Sequence, residues 1–136
     1  MINFLEQLLK LSLNEYTLYH LGVSLMVMEI WEYAEKIFNL LIKQKPKDYF
    51  LLKESEILSL YTGGLHSPEN SFYLKKLQKL SSNLKEKELK LSALYYAALL
   101  LEEKKENVLA IRVYREILKI NPNYRDVDIR LSSVER

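Results

Sequence analysis

The sequence predicts an all-α fold of antiparallel helical hairpins, and three observations carry that prediction. Apolar residues recur every three or four positions through most of the chain, as they do along one face of a helix. Only three glycines and three prolines interrupt 136 residues, too few for the frequent reversals of an all-β chain. No stretch alternates apolar and polar residues as a strand does.

Composition narrows the class. Half of the chain is apolar (49%) and 28% is charged, the balance of a folded globular protein. A formal charge of +2 is too small to hold a nucleic-acid backbone by charge alone, so no nucleic-acid partner is expected. The absence of cysteine excludes disulfides and thiolate metal sites. The opening residues lack a basic head and are broken by Glu6, Gln7 and Lys10, unlike a signal peptide, and no apolar run is long enough to span a membrane. A cytoplasmic location without membrane insertion is the expectation.

Local signals place the helices. Leu5, Leu8 and Leu9 share a helical face, and Asn3 with Glu6 forms a capping-box pattern, predicting a first helix within 1–13. Asn14 caps a second helix through Leu18, Leu21, Leu25 and Met28. A third carries Ala34, Ile37, Phe38, Leu41 and Ile42 up to Lys45-Pro46. Asp48 caps a fourth that should reach Tyr61 and end at Gly63-Gly64, opening a loop over 63–70. Ser67 before Pro68 reads as the cap of a fifth helix through Phe72, Tyr73, Leu77 and Leu80, ended by Ser81-Ser82-Asn83. Asn83 with Glu86 then starts a long helix to about Lys105, and Asn107 starts another to Asn121-Pro122. A last amphipathic helix with Val127, Leu131 and Val134 closes the chain.

Two segments share one layout. Leu18-x-x-Leu21-Gly22-x-x-Leu25, Ala34-x-x-x-Phe38 and Pro46 match Leu94-x-x-Ala97-Ala98-x-x-Leu101, Ala110-x-x-x-Tyr114 and Pro122 at identical offsets. This layout resembles the tetratricopeptide repeat, with Leu where that family usually has Trp and Tyr. The resemblance implies a single domain over 1–136, a short right-handed solenoid: an N-terminal helix (1–13), a first repeat (15–48), a degenerate second repeat (49–90), a third repeat (91–124) and a capping helix (125–136). Pro46 and Pro122 stand 76 positions apart (122 − 46), about eight more than two periods of ~34. The second repeat should therefore be longer, with its extra residues in the 63–70 loop and at the start of the next helix, and with Ser55-Glu56 where Leu-Gly is expected.

Residues for catalysis are missing. His20 and His66 have no second His or carboxylate at metal-ligand spacing, and Gly63-Gly64 lacks the following Lys-Ser or Lys-Thr of a phosphate loop. The lysines between 75 and 90 are relieved by Glu86 and Glu88, as on a solvated helix. No enzyme activity, metal or cofactor is expected.

The resemblance implies partner binding on the concave face formed by the first helix of each hairpin. The matching positions are Tyr16, Tyr19, Val23 and Met26, then Phe50, Lys53, Ile57 and Leu60, then Ser92, Tyr95, Leu99 and Glu102. Most are apolar or aromatic, suited to an apolar or amphipathic segment. Tyr19 and Val23 stand where chaperone-binding members have Lys and Asn, so a carboxylate clamp is not expected in the groove. The expected function is a non-catalytic adaptor or scaffold that binds a protein or peptide. The alternative is a structural, self-assembling component, a possible homo-oligomer, or a small chaperone of a bacterial secretion, pilus or flagellar machine.

Overall fold

The computed structural model describes Gln7 and residues 14–136, and all seven helices among them are α-helices with no strand. They are α1 (Glu15–Val27), α2 (Trp31–Lys43), α3 (Tyr49–His66), α4 (Phe72–Asn83), α5 (Lys87–Glu103), α6 (Asn107–Ile120) and α7 (Val127–Glu135). Apart from Gln7, the helix expected over 1–13, with its Asn3 and Glu6 cap, lies outside the described residues.

Two of the expected caps form. The Asn14 side chain accepts from the Tyr16 N–H at 2.8 Å, and Asp48 accepts from the Leu51 N–H at 3.2 Å. Asn83 does not cap α5, because it is still the last residue of α4; Glu86 occupies that place without a side-chain bond. Asn107 is likewise already inside α6, one residue past the cap position.

Gly63 and Gly64 do not end α3. They continue it for another turn to His66, both buried, so the expected break is a packing site. A Cβ on Gly63 would lie 2.1 Å from the Tyr73 ring, and one on Gly64 would lie 2.8 Å from Leu100. No glycine has positive φ, so close approach explains both residues. The loop shrinks to residues 67–71: Ser67 follows the end of α3, and Asn70 accepts from the Phe72 N–H at 3.0 Å where α4 begins. His66 is thus an exposed residue of the last turn of α3, outside the loop in which it was expected.

Every helix packs against the next in sequence, and α3 also packs against α5. The core is accordingly a run of seams. Leu18, Leu41 and Leu51 close one between the first three helices, beside Ala34, Phe38 and Leu58. Ile57, Leu77, Leu89, Ala93, Ala97 and Leu100 join α3, α4 and α5. Leu94, Leu101, Ala110, Tyr114, Ile117 and Val127 join α5, α6 and α7.

The middle hairpin keeps the buried spacing in a different register from the expected Ser55-Glu56. Ser55, Leu58, Ser59 and Thr62 are buried at i, i+3, i+4 and i+7, as are Leu94, Ala97, Ala98 and Leu101 in α5. Burying hydroxyls is tolerable because Ser55 donates to the Leu51 carbonyl and Thr62 to the Leu58 carbonyl, both at 2.7 Å. The additional length is helical: α3 has 18 residues and α5 has 17, against 13 in α1.

The first and third hairpins turn identically. Glu29 and Lys105 both adopt φ 61°, and the following N–H bonds back across the helix end, Ile30 to Leu25 and Glu106 to Leu101, each at 2.9 Å. This left-handed helix stop usually takes glycine, and here Glu and Lys adopt it with the same backbone bonds across the turn.

Gly22 packs under Phe38, whose ring would stand 2.7 Å from an added Cβ and is itself fully buried. Gly22→Ala should therefore lose about 1–3 kcal/mol to overpacking against about 1 kcal/mol gained in helix propensity. Urea unfolding should give a net loss; a more stable variant would contradict this packing.

Candidate functional site

Tyr19, Val23 and Met26 fall at i, i+4 and i+7 of α1, and the structure keeps them together, half-buried, against Ala34, Phe38 and Leu58. Tyr96 of α5 packs against the same cluster and also against the two seams on either side of α5. One partly exposed phenol therefore touches the core of all three hairpins. From it a chain of rings extends both ways. Tyr61 of α3 lies 4.7 Å away between centroids and Trp31 lies 6.2 Å beyond Tyr61; on the other side Tyr95 is 5.4 Å away and Tyr124 a further 5.9 Å.

Burial pushes the phenols of Tyr19 and Tyr61 up to about 12, so both are neutral at physiological pH and offer ring faces and O–H groups. Arg125 completes the strip. Its guanidinium carbon lies 4.8, 5.5 and 5.1 Å from the ring centroids of Tyr95, Tyr96 and Tyr124. Its backbone, at φ 42°, is in the left-handed region that non-glycine residues seldom enter.

The other expected positions divide. Tyr16, Phe50 and Lys53 gather at the starts of α1 and α3 in a separate patch: the Tyr16 hydroxyl donates to Asp48 at 2.7 Å, Phe50 rests edge-on to Tyr49, and Lys53 pairs with Glu56 at 3.4 Å. Ile57 does not face a groove; it is 0% exposed, inside the seam with Leu77 and Leu89. Tyr95 is 8% exposed and contributes mainly a ring edge and a bonded hydroxyl. Leu99 is half-buried beside Tyr61, Glu102 and Arg130.

Tyr61, Tyr96, Tyr124 and Arg125 were not among the expected residues. The one hint was the pair Tyr95-Tyr96: with Ala97 and Ala98 turned into the core, the second tyrosine must face a different neighbour from the first.

A polar network fixes the end of the strip. Arg130 of α7 donates to Asp126 at 2.9 Å and to Glu102 of α5 at 3.0 Å. The Tyr95 hydroxyl donates to Asp126 at 2.6 Å, and the buried Tyr114 hydroxyl donates to Glu102. Burial and the bond to Asp126 push the Tyr95 phenol up to about 12. Burial raises the Asp126 carboxyl, but its bonds from Tyr95 and Arg130 outweigh that and hold it below the usual carboxylate range.

Among the described residues no group of three His, Asp or Glu side chains could hold a metal ion, and no helix is long and apolar enough to cross a membrane. His20 is exposed on α1 with its ring 5.8 Å from Tyr19.

Because the folded-state pKa of Asp126 is depressed, its contribution is present above the unfolded value near pH 4 and is lost as pH falls through the folded value. The wild type should lose up to about 1 kcal/mol on that limb, a figure limited by solvent screening. Asp126→Asn should flatten it in urea unfolding followed down to about pH 3; equal acid limbs would contradict the network. Comparison with protein-family models, with curated proteins and with solved structures finds no match to this chain.

Proposed function

We propose that the chain is a non-catalytic binding module, a short tetratricopeptide-like array that holds a peptide or helix of a partner protein along its tyrosine strip. The observation that carries this reading is Tyr96, a partly exposed aromatic residue packed on the cores of three hairpins and continuous with Tyr61, Tyr95 and Tyr124. Such a strip offers a large contact area with two side-chain torsions per residue to immobilise. The repeat reading is supported by the first and third hairpins, whose identical turns lie 76 positions apart (105 − 29) and whose buried Gly22 and Ala98 accompany buried Phe38 and Tyr114. An adaptor or scaffold role needs nothing further from the chain.

A displayed-peptide library selected on the wild type should enrich segments bearing apolar and aromatic residues. Tyr61→Leu should weaken the selected peptides about tenfold or more while leaving the melting temperature within a few degrees. Equal binding by wild type and variant would sink the reading.

A second reading, self-assembly, is favoured by a different surface. Val27, Met28, Phe72, Val108 and Leu109 are all exposed, and each lies at or beside a turn within one of the three hairpins. Assembly along that edge predicts a scattering mass that rises with concentration above the 16.1 kDa of one chain. A constant monomer mass would remove it.

A further inference from the structure

Beside the strip, the first turns of α5 and the connection between α6 and α7 enclose an open cleft lined by Lys87, Ser92, Asn121, Tyr124 and Arg125, with Glu54 and Glu88 on its walls. We infer that this cleft is a carboxylate subsite, which takes an aspartate or glutamate side chain of a peptide lying on the tyrosines. The inference rests on the partner-binding reading and specifies what that partner must carry.

Ser92 is the first indication. It is 2% exposed, and its hydroxyl has no hydrogen-bond partner among the described residues, whereas the equally buried Ser55 and Thr62 satisfy theirs on backbone carbonyls. A buried hydroxyl left open is costly, and Ser92 is one of the residues that form the cleft, so its hydroxyl becomes a donor to an acceptor seated there once the side chain turns outward.

Arg125 is the second. Three tyrosine rings surround its guanidinium, yet no carboxylate of the described residues lies within ion-pair distance, in contrast to Arg130 in the following helix. Lys87 is unpaired in the same sense. Two cations free of ion pairs therefore line one cleft with an unsatisfied hydroxyl and the Asn121 amide. The first turn of α5 adds backbone N–H groups that Glu86 leaves uncapped by its side chain.

Glu54 and Glu88 set the charge of the occupant. They offset Lys87 and Arg125, so a carboxylate is held by direct hydrogen bonds and not by net charge, and a doubly charged phosphate meets more repulsion from the two glutamates than a single charge does. Tyr124 belongs to both the cleft and the ring chain, so a segment lying on the rings passes the cleft and continues. A side-chain carboxylate suits that path better than a chain end.

The test uses three probes on the full chain: a blocked peptide of alternating phenylalanine and glutamate, its glutamine counterpart, and the glutamine peptide with a free C-terminal carboxylate. Fluorescence anisotropy should show the glutamate peptide binding about tenfold tighter than either other probe. Ser92→Ala and Lys87→Gln should each shrink that preference without weakening the glutamine peptide, with Lys87, exposed at the start of α5, as the variant least able to disturb folding. Equal binding of the blocked peptides, both weakened by Tyr61→Leu, would overturn the subsite and leave the strip standing. Tighter binding of the free-ended peptide would overturn the side-chain assignment, and no binding of any probe at millimolar concentration would overturn both proposals.

Discussion

The arrangement depends on a row of small residues along α3. Ser55, Ser59, Thr62, Gly63 and Gly64 are all buried, and their lack of bulk lets one helix pack against α2, α4 and α5 together. Tyr73 fills the space over Gly63, Leu100 fills that over Gly64, and Asn39 accepts from Ser59. A larger side chain at these places would force adjoining seams apart together, because close-packed interiors have no free volume to absorb it. The position of Tyr61 relative to Tyr96 follows from the same contact, since Ile57, Gly64 and Leu100 hold α3 against α5 directly beneath the two rings.

The strip is thus anchored at both ends by different physics. On the α1 side, Tyr19 and Val23 are held by apolar packing on Phe38 and Leu58. On the α7 side, Tyr124 and Arg125 sit in a connection whose course is fixed by the bonds of Asp126 and Arg130 to Tyr95 and Glu102. Apolar packing is insensitive to pH, whereas the polar end weakens in acid. The cleft beside Arg125 lies at that polar end, so holding α7 in place and presenting Arg125 are one structural task.

Much of the fold was legible because its signals are local. Asn14 and Asp48 cap their helices through their own side chains, and Pro46 and Pro122 follow helix ends, as proline chemistry requires. Gly63-Gly64 misled for an equally physical reason. Adjacent glycines weaken a helix in isolation, but the space they leave for Tyr73 and Leu100 is worth more in the packed chain, and that gain is tertiary. Asn83 and Asn107 have a capping residue's chemistry without its place, each lying inside a helix. The site was only partly legible. Tyr19, Val23 and Met26 follow from spacing along one helix, whereas Ile57 was lost to the core because the middle hairpin sits in another register. Tyr96 and Arg125 depend on which helices meet, and no spacing within a single helix shows that.

On the proposed reading the tyrosine strip and its adjoining cleft form one binding surface. Backbone NMR shift mapping with the blocked phenylalanine–glutamate peptide tests it most directly. Shifts should be contiguous over Tyr19, Tyr61, Ser92, Tyr96 and Arg125, with the amides near Val27, Phe72 and Val108 unmoved. Shifts confined to that hairpin-turn edge, or scattered without a connected patch, would contradict it.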